Sequence, residues 1–255
     1  MNLGYSKKDL IKRIDSFRPD IVGISMMSRS YNLGYEIISL VKNQRLPVVI
    51  GGPHASTFKE DILRQTDADF VILSEGEHRL KDLMLGKDID EIDGIIYRDG
   101  RQIVTNQPTS VIDINDLPFP DYSSFELEKY VGGCVGVITS RGCPYQCIFC
   151  PVGTSSHRRL RMRTVESVLE EIKFWHSQGR FRLEVLDDNF TYERERVLKI
   201  CEGIAEKRLD LLVLNCPNGV RADRVDKEIL LAMRLAHFNT IAFGVESGND
   251  RILGN

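Results

Sequence analysis

Short apolar runs alternate with amphipathic helical stretches twice along this chain, and a segment holding two prolines separates the two series. That alternation predicts parallel sheets joined by helical crossovers. In the first series, apolar runs at 21–25, 48–51 and 70–73 alternate with helical stretches near 33–41, 58–63 and 80–85. Strands this uniformly apolar are expected to be covered on both faces. A helix precedes them, with Ser6 and Asp9 as a capping box and Leu10, Ile11, Ile14 and Phe17 along one face. The strands end in small or acidic loops, Ser25-Met26-Met27, Gly51-Gly52-Pro53-His54 and Glu75-Gly76-Glu77. Ligands of open α/β sheets lie beyond such strand ends, so the three loops would share a rim.

Asp99-Gly100 suits a tight hairpin turn between 94–98 and 102–105, read as a small β insertion or lid. Leu117-Pro118-Phe119-Pro120-Asp121 breaks both periodicities and marks the domain boundary. The expected division is a domain at 1–108, carrying the hairpin at about 92–106, a linker at 109–130, and a second domain at 131–255. In the second domain, strands are expected near 135–139, 183–186, 211–215 and 240–244. Val165, Val168, Leu169, Ile172 and Trp175 line one helical face, Val197, Ile200, Cys201 and Ile204 another, and Ile229, Leu230 and Met233 a third. Such a series builds a parallel barrel or a piece of one, with its chemistry at the strand C-termini.

A chain of 255 residues has room for two such domains. Its formal charge of −3 gives no general attraction to nucleic acid or an anionic membrane. The N-terminus mixes charge into its apolar residues and reads as neither a signal peptide nor a membrane span. A cytoplasmic location follows as the expectation, and in that compartment the six cysteines read as thiols or metal ligands rather than as three disulfides. Cys143, Cys147 and Cys150 share one loop just after the first strand of the second series. Three thiolates on a four-iron cubane leave one iron open to another ligand. Zinc is the alternative, but structural zinc sites take four ligands, and Cys201 and Cys216 are not paired as a second half-site would be.

The C-x₃-C-x₂-C loop, with the aromatic Phe149 before its last cysteine, resembles the signature of the radical S-adenosylmethionine (SAM) superfamily. The likeness extends to the strand-end segments 186–191, 218–223 and 243–248. The first domain resembles the cobalamin-binding domain that precedes the radical SAM domain in one large subgroup, through 18–25, 49–55, 74–77 and the Leu-Pro-Phe-Pro stretch. The fold class implied is α/β: a partial doubly wound, flavodoxin-like parallel sheet followed by a partial (β/α) radical SAM barrel.

The resemblance implies a [4Fe–4S] cluster on Cys143, Cys147 and Cys150, with SAM chelating the open iron and cobalamin as a further cofactor. An electron from an external flavodoxin- or ferredoxin-type donor would cleave SAM to methionine and a 5′-deoxyadenosyl radical, for methyl transfer or a ring-forming rearrangement on a small molecule. It places Asp187 and Asp188 at the SAM amino group, Glu246 and Ser247 at its ribose and carboxylate, and Phe149 near the adenine. Asp187-Asp188-Asn189 has a plainer reading as a helix N-cap cluster, whereas Glu246 is expected to be a buried acid in need of a partner. Arg221 could fork onto the SAM carboxylate or pair with Asp223 or Asp226. Ser25, Gly51 and Gly52 would receive cobalamin, the glycines serving otherwise as a tight turn. His54 is not read as the cobalt ligand, because the family's Asp-x-His-x-x-Gly run belongs to an earlier loop and none precedes residue 20. The basic run from His157 to Arg163 is assigned to solvent or to SAM, Cys201 to the core and Cys216 to a strand-end core position. No catalytic residue is assigned.

Two other classes are open: a cobalamin carrier or sensor, and a tRNA methylthiotransferase, which needs a second cysteine trio that the first domain does not show. Set against the resembled domains, the first two strands of the cobalamin domain and the last two of six barrel strands are absent. The chain is therefore expected to be a fragment with unpaired sheet edges.

Overall fold

The computed structural model describes residues 5–129, 133–152 and 159–253. Two compact units emerge, one taking residues 5–112 together with 146–152, the other taking 113–129, 133–145 and 159–253.

The first unit opens with α1 (Lys7–Phe17), started by a reciprocal capping box. Asp9 N–H donates to the Ser6 hydroxyl at 3.2 Å, and Ser6 N–H to the Asp9 carboxylate at 2.9 Å. Strands β1 (Val22–Ser25), β2 (Val48–Gly51) and β3 (Phe70–Ile72) follow in parallel, with Val22 opposite Val48 and Ile50 opposite Val71. Their crossovers are α2 (Tyr31–Lys42) and the pair α3 (Pro53–Phe58) and α4 (Glu60–Gln65), and α5 (Glu77–Met84) follows β3. The single helix expected near 58–63 is thus two short ones, because Lys59 takes φ 46° and breaks the hydrogen-bond ladder between them. Alternation along the strands sorts the core into two faces. Val48 and Ile50 pack with Ile38, Val41, Ile62 and Leu63, while Val49 turns the other way, toward Ile72, Ile92 and Ile95.

The hairpin β4 (Ile95–Asp99) and β5 (Gln102–Thr105) is not a separate insertion or lid, as its turn chemistry alone suggested. It extends the same sheet, β4 pairing antiparallel with β3 through Phe70 and Tyr97, in the order β1-β2-β3-β4-β5. The reason lies in its composition: Ile95, Ile96 and Tyr97 bury side chains on both faces, which a solvent-exposed lid could not do. Arg79, on α5, is 4% exposed and locks the junction. It donates to the carbonyls of Leu73, Glu75, Asp93 and Ser110 and to the Asp93 carboxylate.

The second unit holds a parallel sheet in the order β6 (Val135–Val137), β9 (Arg182–Val185), β10 (Val213–Val220) and β11 (Phe238–Phe243), neighbours running in sequence order from β6 to β11. Its helices are α6 (Val165–Ser177), α7 (Arg194–Glu206), α8 (Lys227–Leu235) and α9 (Asp250–Leu253). Thr164 and Asp226 cap α6 and α8 through their side chains. Val137, Leu183, Val185 and Leu214 meet Ile172, Ile200, Ile204 and Met233 in one core. Strand β10 runs further than the expected 211–215. It continues through Pro217 and Gly219 by shifting register against β11, a bulge that tolerates the missing proline N–H and the φ of 95° at Gly219.

The double-proline segment makes no strand, yet it packs onto this unit. Phe119 lies 5.7 Å from Phe174 between ring centroids and Tyr122 5.4 Å from Trp175, with the Tyr122 hydroxyl donating to the Gly136 carbonyl at 3.3 Å. Among the described residues no helix is long and apolar enough to cross a membrane.

Candidate cluster and cofactor sites

A short antiparallel stem, β7 (Ser140–Arg141) with β8 (Arg161–Met162), opens the loop that carries the three cysteines. Just inside the stem, Gly142 is buried with φ 87°, a turn that glycine makes without strain, and Cys143 follows it. Cys143, Cys147 and Cys150 form no disulfide and are partly buried, and Cys150 N–H turns back onto the Cys147 carbonyl at 3.2 Å. Among the described residues no three His, Cys, Asp or Glu side chains converge as they would around a metal ion.

The other cysteines differ. Burial pushes the thiols of Cys201 and Cys216 up to about 12, so neither yields a thiolate readily, and both lie in the core as the sequence suggested. Cys134 is raised by burial and by Glu184. Three soft, partly exposed donors in one loop therefore fit an iron–sulfur cluster better than any other thiols here.

Asp187 and Asp188 part company at the end of β9. Asp187 is fully buried and accepts from Thr139 N–H at 2.6 Å, the Thr139 hydroxyl at 2.5 Å and the Ser140 hydroxyl at 2.6 Å. Burial raises its pKa, against those hydrogen bonds. It knots β9 to the chain entering the stem through these bonds. Asp188 is exposed and accepts the Gly142 N–H at 2.9 Å. Surrounding protein raises its carboxyl despite that exposure. Neither caps a helix, since α7 begins only at Arg194 and has no side-chain cap.

Arg221 forks onto Asp223 with two bonds of 2.9 Å. Its guanidinium also lies 4.1 Å from the centroid of the Tyr145 ring. Glu246 is exposed rather than buried, in a left-handed turn at φ 57° just beyond β11, and the half-buried Ser247 accepts Asn249 N–H at 3.1 Å. Phe149 is 64% exposed. In the basic run, His157 and Arg158 lie outside the described residues, while Arg163 is buried and binds Glu171, Ser167 and the Ile138 carbonyl. That one arginine is structural, because its fan of donors matches acceptors on α6 and on the chain after β6.

Four residues given no ligand role by the sequence also stand out. Asn189 and Thr191, 3% and 1% exposed, bury an amide and a hydroxyl that have no hydrogen-bond partner among the described residues. Such groups ordinarily hold water or a ligand, and they fit a polar cofactor at this strand end. Tyr192 and Arg224 join Tyr145 in an aromatic and cationic cluster.

In the first unit, Ser25 is exposed, and a side chain at Gly51 would meet nothing within 4 Å. Gly52 is different: at φ 90°, a Cβ there would come within 2.9 Å of the Met26 nitrogen and the Ser25 hydroxyl. Its glycine is required by the fold, as the tight-turn reading held. His54 is 2% exposed, its ring between Tyr31 and Phe58 and its nitrogens on Tyr35 and Ser28 at 3.3 and 3.1 Å, and burial lowers its pKa. The small residues at this rim leave backbone open, which fits a broad ligand lying across strand ends.

Two family models match this chain, a B12 binding domain over residues 2–84 and the radical SAM superfamily over residues 137–254. The chain belongs to the radical SAM superfamily, joined to a B12-binding domain. It is 32% identical to an uncharacterized methyltransferase of Pyrococcus horikoshii, over 96% of this chain and 55% of that protein. It is 28% identical to an anaerobic magnesium-protoporphyrin IX monomethyl ester cyclase of Synechocystis, over 85% of this chain and 46% of the cyclase. Among solved structures it resembles the cobalamin-dependent SAM radical enzyme OxsB with aqua-cobalamin and SAM bound, at TM-score 0.81 and 26% identity, covering 99% of this chain and 39% of that one. This radical SAM chain spans about half the length, or less, of these relatives. Enzymes of this superfamily need a reductant.

Proposed function

We propose that this chain is the cofactor-binding part of a cobalamin-dependent radical SAM enzyme acting on a small molecule. The observation that carries the reading is the order of its parts: a B12-binding domain at 2–84, then a radical SAM domain at 137–254 whose cysteine loop leaves the stem after β6. A cluster on Cys143, Cys147 and Cys150 would supply one-electron cleavage of SAM to methionine and a 5′-deoxyadenosyl radical. The cysteines hold the iron, and Asp188 fixes the turn from which they project. Asn189 and Thr191 offer an amide and a hydroxyl to a polar ligand, and Glu246, Ser247 and Phe149 are assigned to SAM, their exposure or half-burial supporting that role. Asp187 and Arg221 support the site from behind. The open backbone at Ser25 and Gly51 receives the corrinoid, with Gly52 shaping the turn.

Methyl transfer is the reaction favoured, by likeness to the Pyrococcus methyltransferase; ring formation has the support of the cyclase relative. A flavodoxin- or ferredoxin-type donor in the cytoplasm supplies the electron. The domains divide at 1–108 and 131–255, with 109–130 between them. Anaerobic reconstitution in the presence of hydroxocobalamin tests this reading: corrin and iron–sulfur absorbance should both remain with the protein after gel filtration. Loss of both would refute it.

A further inference from the structure

Tyr145 stands midway in the cysteine loop, two residues from Cys143 and two from Cys147. Two residues of chain span at most about 7 Å, so whatever holds Tyr145 holds the ligand loop close to both thiols. Two arginines and a tyrosine hold it. Arg224 Nε donates to the Tyr145 hydroxyl at 2.6 Å, and the Arg221 guanidinium lies over its ring at 4.1 Å. Tyr192 meets the ring edge-on at 5.8 Å, and Arg224 in turn lies 5.3 Å from the Tyr192 ring. Arg221 sits at the end of β10 and Tyr192 beyond β9, so the loop is pinned to two strand ends at once.

The charges are unequal. Asp223 offsets Arg221 through its two-bond fork, whereas Arg224 meets Tyr145 and Tyr192, leaving a net positive charge on Arg221, Asp223 and Arg224 together. A cation stabilises the more negative state of a reduced cluster, and contacts just outside the ligands tune such centres.

We propose that Arg221 and Arg224 are positioning residues that grip Tyr145, hold the ligand loop in place and raise the reduction potential of the cluster it carries. The proposal rests on the cluster assignment given above and goes beyond it, since it concerns residues other than the three cysteines. Both arginines are on the exposed side of the fold, so their replacement should leave folding intact.

The test is an anaerobic, EPR-monitored redox titration of the reconstituted whole chain, with iron and sulfide measured in each sample. Arg224→Leu and Tyr145→Leu should shift the potential downward with the cluster content unchanged. Arg224→Lys should recover most of the shift, because it restores the charge, and Tyr145→Phe should shift it less than Tyr145→Leu, because the ring under Arg221 remains. Equal potentials across all four variants, each with a full cluster, would overturn the proposal. Failure of the unaltered chain to take up iron and sulfide at all would instead bring down the cluster assignment, and the grip with it.

Discussion

The Asp188 carboxylate takes the Gly142 N–H at 2.9 Å, tying the end of β9 to the residue that precedes Cys143. Because Asp188 is exposed, Asp188→Ala should cost the fold little, within about 1 kcal/mol. Its effect should fall on the loop: the reconstituted cluster should be lost to an iron chelator several-fold faster than in the unaltered chain. Asp188→Asn keeps an acceptor oxygen and should behave nearly as the parent does. Bleaching of the cluster absorbance at a fixed chelator concentration gives the comparison.

Its neighbour should behave in the opposite way. Asp187→Ala strands the Thr139 N–H and two hydroxyls in a buried site, at a cost of about 3–5 kcal/mol. Asp187→Asn, which still accepts, should lose less. Trp175 is the chain's one tryptophan and lies in this unit's core, so its fluorescence during urea unfolding reads the difference directly.

Gly51 and Gly52 separate ligand from fold. Gly52→Ala forces a side chain to φ 90° against backbone 2.9 Å away and should destabilise the first unit by about 1–3 kcal/mol. Gly51→Ala meets empty space and should leave the melting temperature unchanged while weakening cobalamin retention. Circular dichroism melting and equilibrium dialysis against hydroxocobalamin distinguish the two effects.

Arg79 and Asp93 make the first unit acid-sensitive. Burial alone would raise the Asp93 carboxyl, but Arg79, the Ser110 and Thr109 N–H groups and the Ser110 hydroxyl together hold it well below its ordinary 3.8. The fold therefore favours the carboxylate. That stabilisation is complete above pH 3.8 and is lost as pH falls further, toward the lowered folded value. Asp93→Asn should be less stable than the parent at pH 7, and the gap should close as unfolding is measured below pH 3.8.

Much of this was legible in the residues. Strand and helix periods fixed both sheets to within a few residues, because Val48 to Ile50 or Leu183 to Val185 can satisfy their burial in few other ways. The cysteine loop was legible from its spacing together with its resemblance to the radical SAM signature. What escaped depended on neighbours far away in the chain. The hairpin reads as a lid until β3 is seen beside it, and Arg163 reads as part of a solvated basic run until Glu171 is seen to face it. Asp187 and Asp188 are adjacent and chemically identical, and the loop just past β9 buries one and exposes the other. Tyr145 carries no signal of its own, since its partners lie 47 to 79 residues further on.

Iron and acid-labile sulfide analysis after anaerobic reconstitution, on the parent chain and on the triple variant Cys143→Ala, Cys147→Ala, Cys150→Ala, bears most directly on the cluster. The parent should hold about four irons and as many sulfides per chain, and the triple variant almost none. A triple variant that still retains about four irons and four sulfides would contradict the assignment of these three cysteines.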